Sequence, residues 1–80
     1  MEVTGKLERR ERENKQGSYF VIVADGEEVA VSMSESLSPA DDERVLASKV
    51  GQRVRAHGIE HKATGVLLAF AVVPASVMPA

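Results

Sequence analysis

The pair Asp25-Gly26 constrains this chain more than any other feature of its sequence. Both residue types tolerate positive φ, and such a pair between two apolar runs is a strong signal for a tight β-hairpin turn. Residues 18–24, before the pair, are mostly aromatic and β-branched, whereas residues 28–33, after it, alternate apolar and polar side chains. The sequence therefore predicts a fold that contains a β-hairpin.

Three further segments are predicted strands. Residues 3–7 alternate with period two, and the highly charged residues 8–16, which include no apolar side chain, are expected to form a solvated loop. In residues 52–61, polar and apolar side chains alternate again as far as Gly58. The order of polar and apolar positions changes there, which predicts a β-bulge. Residues 66–73 are eight apolar residues without a break, which is typical of a strand buried on both faces.

One helix is predicted between the hairpin and the fourth strand. Ser38 is a suitable N-cap, Pro39 suits the first helical turn, and the acidic residues that follow favour the positive end of the helix dipole. Gly51 is a suitable C-terminal stop. The helix is therefore expected to extend from about Pro39 to Lys49, with a boundary error of about three residues.

This order of elements, three strands, a helix and two strands, is that of the OB-fold, a five-stranded Greek-key barrel with one helix between strands 3 and 4. The predicted class is mainly β, with residues 1–74 forming a single OB-fold domain and residues 75–80 a short apolar tail. Another small α+β sheet with an open edge is the alternative interpretation of the same order.

Two segments resemble known OB-fold families. Residues 17–33, GSYFVIVADGEEVAVSM, resemble the hairpin of strands 2 and 3 in the anticodon-binding and replication-protein families. Residues 51–58, GQRVRAHG, are similar to the beginning of strand 4 in those domains. The resemblance implies a ligand site on the outer face of strands 2 and 3, flanked by the loops between strands 1 and 2 and between strands 4 and 5.

Successive side chains of a strand point to opposite faces, and this alternation predicts which residues of the hairpin reach the outer face. The residues expected to fill the barrel are Tyr19, Val21, Val23, Val29, Val31 and Met33. Those expected to point outward are Phe20, Ile22, Ala24, Ala30 and Ser32. An exposed Phe20 would stack on a nucleic-acid base, because every base has a π-face. The alternative is that Phe20 packs beneath the long loop or the C-terminal tail.

Basic side chains are expected beside this face, where they would contact phosphates. The predicted nucleic-acid-binding residues, together with Phe20, are Lys6, Arg9, Arg10, Arg12, Lys15, Arg53, Arg55 and His57. Glu8, Glu11 and Glu13 alternate with the bases of the first loop. A loop whose acids and bases pair with one another is therefore the alternative to a phosphate clamp.

The last strand predicts a second surface. A barrel covers one face of a strand, so the other apolar face of residues 66–73 needs the helix, the tail or another subunit as a cover. The expected interface residues are Leu67, Ala69, Ala71 and Val73. They predict a homodimer or a protein partner docked on this strand.

Composition excludes several classes of protein. The 80 residues include no cysteine, so disulfides, thiolate catalysis and Cys-based zinc sites are excluded. Ten basic and twelve acidic residues give a net charge of −2, so bulk charge alone does not attract nucleic acid. The N-terminal residues lack the apolar core of a signal peptide, and no apolar run approaches the ~20 residues that cross a bilayer. A cytoplasmic location without membrane contact is therefore expected.

Catalytic chemistry is not predicted. His57 and His61 lie on one strand and its turn, with no nucleophile or further ligand cluster around them. The sequence also has no glycine-rich phosphate loop. We therefore expect no metal site, no cofactor and no enzymatic activity.

Two functions remain. The first is a stand-alone OB-fold protein that binds single-stranded DNA or RNA weakly and with little sequence preference, which the family resemblance and the clustered arginines favour. The second is a protein–protein interaction module or accessory subunit that uses the barrel surface or the last strand. Low basicity and the presence of only three aromatic residues favour the second.

Overall fold

The computed structural model of the protein describes residues 1–11 and 17–75. Its strands are β1 (Glu2–Glu11), β2 (Ser18–Ala24), β3 (Glu27–Met33), β4 (Arg53–His61) and β5 (Val66–Pro74). The helix α1 (Pro39–Leu46), continued by a 3₁₀ turn at Ala47–Lys49, lies between β3 and β4. The predicted mainly β class and the predicted position of the helix are confirmed.

The five strands close into a barrel in the order β1-β2-β3-β5-β4. The long strand β1 pairs with both β2 and β4, so that Lys6 lies opposite Val23 on one side and opposite Arg53 on the other. All neighbouring strands are antiparallel except β3 and β5, which run parallel where Val31 lies opposite Leu67. This closed arrangement is compatible with an OB-like fold, and it excludes the open-edged sheet considered as the alternative.

The turn between β2 and β3 fixes the register of the hairpin. Asp25 and Gly26 have φ values of 52° and 81°, as a two-residue turn of this kind requires. Ala24 therefore lies opposite Glu27, and this register places Phe20 opposite Val31. Because residues directly opposite one another share a face, even-numbered residues of β2 lie on the same side as odd-numbered residues of β3.

The two faces of β2 are therefore the reverse of those predicted. Phe20 and Ile22 are 2% and 0% exposed and belong to the core, whereas Tyr19 is 36% exposed. The assignment for β3 is confirmed, because Val31 is buried and Val29 packs against the core. The other buried core residues are Leu7, Leu46, Val54, Ala56, Leu67, Ala69 and Val72. The predicted parity was wrong for β2 because it matched odd residues with odd residues across a two-residue turn.

A bulge interrupts the pairing of β4 with β5, as the sequence predicted. Gly58 lies opposite Ala69 and His57 lies opposite Ala71, so Phe70 is an additional residue on β5. The extra residue is on β5, and the alternation of β4 continues through Gly58 without a change of parity. The buried positions of β5 shift at the bulge, from Leu67 and Ala69 before it to Val72 after it.

This bulge also changes the expected interface on β5. Leu67 and Ala69, which were expected on the outer surface, are both 0% exposed and belong to the core. Ala71 and Val73 are exposed, as expected. Residues 66–73 are all apolar, so no alternation of polar and apolar side chains shows which of them face the core. The bulge also moves the core-facing side of β5 by one residue partway along the strand.

Two glycines allow strands to approach closely in this small barrel. A Cβ atom on Gly58 would lie 2.0 Å from the carbonyl oxygen of Leu68, and a Cβ on Gly5 would lie 2.2 Å from that of Val23. Both distances are far below van der Waals contact, and both obstacles are backbone atoms. Glycine is therefore required at these two positions for the strands to keep their present separation.

Strand β1 is longer than predicted. Residues 8–11 were expected in a loop, but they extend β1 and pair with β2, with Arg9 opposite Phe20 and Glu11 opposite Ser18. The backbone hydrogen bonds between paired strands need no apolar side chain, so a charged segment can remain a strand where its side chains reach solvent. Residues 12–16, the rest of the predicted loop, lie outside the described residues.

The helix begins at Pro39 as predicted, but Ser38 makes no side-chain hydrogen bond as its N-cap. A carboxylate of the first turn instead bonds the segment that precedes the helix. The side chain of Asp41 accepts a hydrogen bond from the backbone N–H of Leu37, with an N–O distance of 2.9 Å. Negative charge at these positions also suits the helix dipole.

Asp42 holds α1 against the barrel through hydrogen bonds. Its carboxylate accepts hydrogen bonds from the Ser32 hydroxyl (2.7 Å), the Ser36 hydroxyl (2.6 Å) and the backbone N–H of Met33 (2.8 Å). Further along the helix, Leu46 is fully buried in the core. The helix therefore lies against the barrel with its polar start bonded to β3 and its apolar end packed inside.

Candidate nucleic-acid interface

The outer face of β2 and β3, where the family resemblance places a ligand, is crossed by a network of ion pairs. Arg10 of β1 bonds to Oε1 of Glu8 at 2.9 Å and to Oε2 of Glu28, on β3, at 2.8 Å. The contact between β1 and β3 spans β2, and Val21 of β2 is only 2% exposed although it lies on the outer face. We call Arg10, Glu8 and Glu28 the Arg10 network.

The network has a clear electrostatic effect on its members. The hydrogen bond from Arg10 lowers the pKa of the Glu28 carboxyl, and the hydrogen bonds to Glu28 and then Glu8 raise the pKa of Arg10. Both changes favour the charged forms. Arg10 was predicted to contact phosphate, but its guanidinium is occupied by two carboxylates.

The predicted stacking residue is not at the surface. Phe20 was expected to point outward, but it lies in the core, and the guanidinium of Arg9 covers its ring with 5.4 Å between the guanidinium carbon and the ring centroid. Arg9 also pairs with Glu43 of α1. The expected exposure of Phe20 is therefore wrong, and Arg9 joins β1 to the helix at one end of the barrel.

Tyr19 is the aromatic residue that β2 presents outward. It borders a cavity of about 320 Å³ that Ala30, Ser32 and Asp42 also line. The acidic group of this cavity, Asp42, already accepts three hydrogen bonds. The predicted contacts Arg12 and Lys15 lie outside the described residues.

The other four predicted phosphate contacts come together on β1 and β4. Lys6 lies opposite Arg53, Thr4 lies opposite Arg55, and Glu2 lies opposite His57. Alternate residues of a strand share a face and are spaced about 6.5–7 Å apart. The residues of this surface, which we call the basic face, are Lys6, Arg53, Arg55 and His57.

The charges of the basic face are largely uncompensated. Three of the five arginines in residues 1–11 and 17–75 pair with carboxylates, namely Arg9, Arg10 and Arg44. Within the same residues, the side chains of Arg53 and Arg55 form no ion pair or hydrogen bond. The ammonium of Lys6 is 3.9 Å from Glu8, at the edge of ion-pair distance. The basic face therefore keeps cations free for an anionic ligand.

Sequence reasoning missed the apolar groups beside the basic face. Phe70 is 55% exposed, and its ring centroid lies 6.1 Å from that of His57 with the rings tilted by 59°. Ile59, two residues beyond His57 on β4, is 59% exposed. A signal was present in the sequence, because Ile59 falls on the polar parity of its strand.

Comparison with protein-family models, with curated proteins and with solved structures finds no match for this chain.

Two further observations concern metal and membrane. In the part of the chain that the structure describes, no group of three or more His, Asp or Glu side chains could hold a metal ion. None of the helical segments in that same part is long and apolar enough to cross a membrane.

Proposed function

We propose that the chain is an OB-fold domain that binds single-stranded nucleic acid, weakly and with little sequence preference, through the basic face. The observation that carries this proposal is the pairing of Lys6 with Arg53 across β1 and β4, with Arg55 next along the strand and no carboxylate partner for either arginine among the described residues. The barrel order and the helix between β3 and β4 support the OB-fold part of the proposal. A cytoplasmic location belongs to the same proposal.

The mechanism is electrostatic contact with the phosphate backbone. Each phosphate that a lysine or arginine neutralises releases condensed counterions, and this release drives binding without reading the sequence. Arginine can also hold a phosphate through two parallel hydrogen bonds. The net charge of −2 opposes long-range attraction of a polyanion, so the affinity is expected to be modest and to fall with salt.

The proposal moves the site away from the face that the family resemblance implied. On the outer side of β2 and β3, Arg10 is held by Glu8 and Glu28, and Phe20 is buried. The uncompensated arginines instead lie on β4, beside β1.

The test is a titration of a fluorescein-labelled oligothymidine of about 15 nucleotides, within the usual site size of such barrels, followed by fluorescence anisotropy over a range of salt. The variant Arg53→Ala/Arg55→Ala removes two phosphate contacts, so the slope of log K against log salt should fall in magnitude by about 1.4. Arg44→Ala is the matched control, because it removes an exposed arginine on α1 that pairs with Asp41. Equal slopes for the double variant and the wild type would contradict the proposal.

A protein-interaction function is the second candidate, favoured by one observation. Ile59, Phe70 and Val73 are 59%, 55% and 40% exposed on the neighbouring strands β4 and β5. Exposed apolar side chains that lie near one another often mark a protein contact. Ile59→Glu should then convert an associated protein into a monomer in light scattering, whereas a wild type that is monomeric at every concentration would contradict a homodimer.

A further inference from the structure

We propose that Phe70, supported by His57, forms a base-stacking platform beside the basic face, so that this surface selects nucleic acid with unpaired bases over duplex. The inference deepens the proposed function and rests on it. It assigns the stacking role that was predicted for Phe20 to a different strand and a different face of the barrel.

The bulge in β5 places the ring of Phe70 at the surface. Ala69 lies opposite Gly58 and Ala71 lies opposite His57, so Phe70 is the additional residue between two paired positions. Gly58 permits this geometry, because any Cβ there would meet the carbonyl oxygen of Leu68 at 2.0 Å. Bulges often turn a side chain toward a functional surface, and here more than half of the Phe70 side chain is accessible.

His57 connects the aromatic ring to the row of cations. Its ring centroid is 6.1 Å from that of Phe70, and the tilt of 59° is a favourable arrangement for two aromatic rings. On the other side along β4, Arg55 and Arg53 follow at alternate positions of the same face. A nucleotide whose base stacks on Phe70 can thus place its backbone over β4.

The surrounding charges orient such a strand. On the side away from β4, Phe70 borders a cavity of about 170 Å³ that Glu35 and Asp41 also line. Asp41 is paired with Arg44, at 3.0 Å, so Glu35 is the carboxylate of this cavity that repels phosphate and directs the backbone toward Arg55 and Arg53. Glu2, which lies opposite His57, is an acidic group at the margin of the basic face.

Charge also favours nucleic acid over a protein partner on this surface. The outward-facing residues of β4 from Arg53 to Ile59 include no carboxylate, and neither does the sequence of β5. A polyanion with aromatic bases complements both the cations and the exposed ring. A duplex would satisfy only the cations, since its bases are stacked on one another and their faces are not available.

The test uses the complete chain and oligothymidine of about 15 nucleotides, free or annealed to oligoadenine, in anisotropy titrations at one salt concentration. Wild type should bind the single strand more tightly than the duplex. Phe70→Ala should weaken single-strand binding roughly 5- to 150-fold and should remove this preference. Phe70→Tyr keeps an aromatic face and should bind within about twofold of wild type, whereas Phe70→Leu keeps apolar area alone and should behave like Phe70→Ala.

The outcomes separate this inference from the function it rests on. If Arg53→Ala/Arg55→Ala weakens binding while Phe70→Ala does not, the platform is wrong and the phosphate-binding function stands. If wild type binds neither oligonucleotide, both are wrong. If Phe70→Ala instead abolishes self-association in light scattering and leaves oligonucleotide affinity unchanged, the ring belongs to a protein contact. Melting temperatures near that of wild type confirm that each variant is folded.

Discussion

The guanidinium of Arg9 lies over the ring of Phe20, with 5.4 Å between the guanidinium carbon and the ring centroid. Arg9 is opposite Phe20 in the pairing of β1 with β2, and it pairs with Glu43 of α1. The contact therefore closes the barrel at the end where the helix lies. Phe20, which was predicted to stack on a base, is a core residue whose ring is covered by Arg9.

The first prediction compares the two phenylalanines of the chain. Phe20→Ala should lower the free energy of unfolding by about 3–5 kcal/mol, because it leaves a cavity in the core. Phe70→Ala, at an exposed position, should lower it by about 0.5 kcal/mol or less. Urea denaturation of both variants measures the difference, and equal losses would mean that Phe20 is not a core residue.

The second prediction concerns the close approach at the bulge. Gly58→Ala would place a methyl group 2.0 Å from the carbonyl oxygen of Leu68, so β4 and β5 would have to separate. Gly26→Ala is the comparison, since it meets no atom and only strains a positive φ, at a cost of about 1–2 kcal/mol. Denaturation midpoints should fall further for Gly58→Ala than for Gly26→Ala, and the reverse order would contradict the account of the bulge.

The third prediction tests the bond between α1 and β3. Asp42→Ala removes three hydrogen bonds and leaves the N–H of Met33 without its partner, so unfolding free energy should fall by about 1–3 kcal/mol. Glu35→Ala removes an acidic side chain from the same region without removing any of these bonds and should have little effect. The two variants should therefore melt at clearly different temperatures.

The fourth prediction is a pH dependence from the Arg10 network. The folded-state pKa of Glu28 is lowered, mainly by the hydrogen bond from Arg10. A lowered pKa stabilises the fold above the ordinary glutamate range, and the contribution is lost as the pH falls through the folded value. The melting temperature of Glu28→Gln should thus lie below that of wild type near neutral pH, and the gap should narrow progressively as the pH falls below about 4.

Glu27→Gln is the control for that experiment. Glu27 is adjacent in sequence and has no ion pair within the described residues. Its substitution should change the melting temperature near neutral pH less than Glu28→Gln does. A gap between wild type and Glu28→Gln that stays constant down to about pH 3 would contradict the assigned role of the pair.

Local signals in the sequence were sufficient to predict the order of the strands and the helix. Asp25-Gly26 predicted the hairpin turn, Pro39 the start of the helix, and Gly58 the irregularity between β4 and β5. Each of these is a local backbone requirement that one or two residues reveal. The inner face of β2 could also have been predicted, because a two-residue turn forces Phe20 opposite Val31.

The candidate site on the basic face was harder to predict from the sequence. An arginine is available to a ligand only if no carboxylate pairs with it, and the pairing carboxylates are distant in sequence. Arg10 pairs with Glu28, and Arg9 pairs with Glu43. The exposure of Phe70 depends on which strand carries the extra residue of the bulge. Neither is encoded in a local pattern, since both follow from the pairing of strands across the barrel.

Nucleic acid is proposed to bind on the basic face, and amide chemical-shift mapping during titration with oligothymidine would locate the contact residue by residue. We expect the largest shifts on residues 53–57 of β4, on residues 4–6 of β1 and on Phe70. The amides of residues 19–23, on β2 beneath the Arg10 network, should change little. Shifts concentrated on residues 19–23 and 28–32, or no shifts at any amide, would contradict the account.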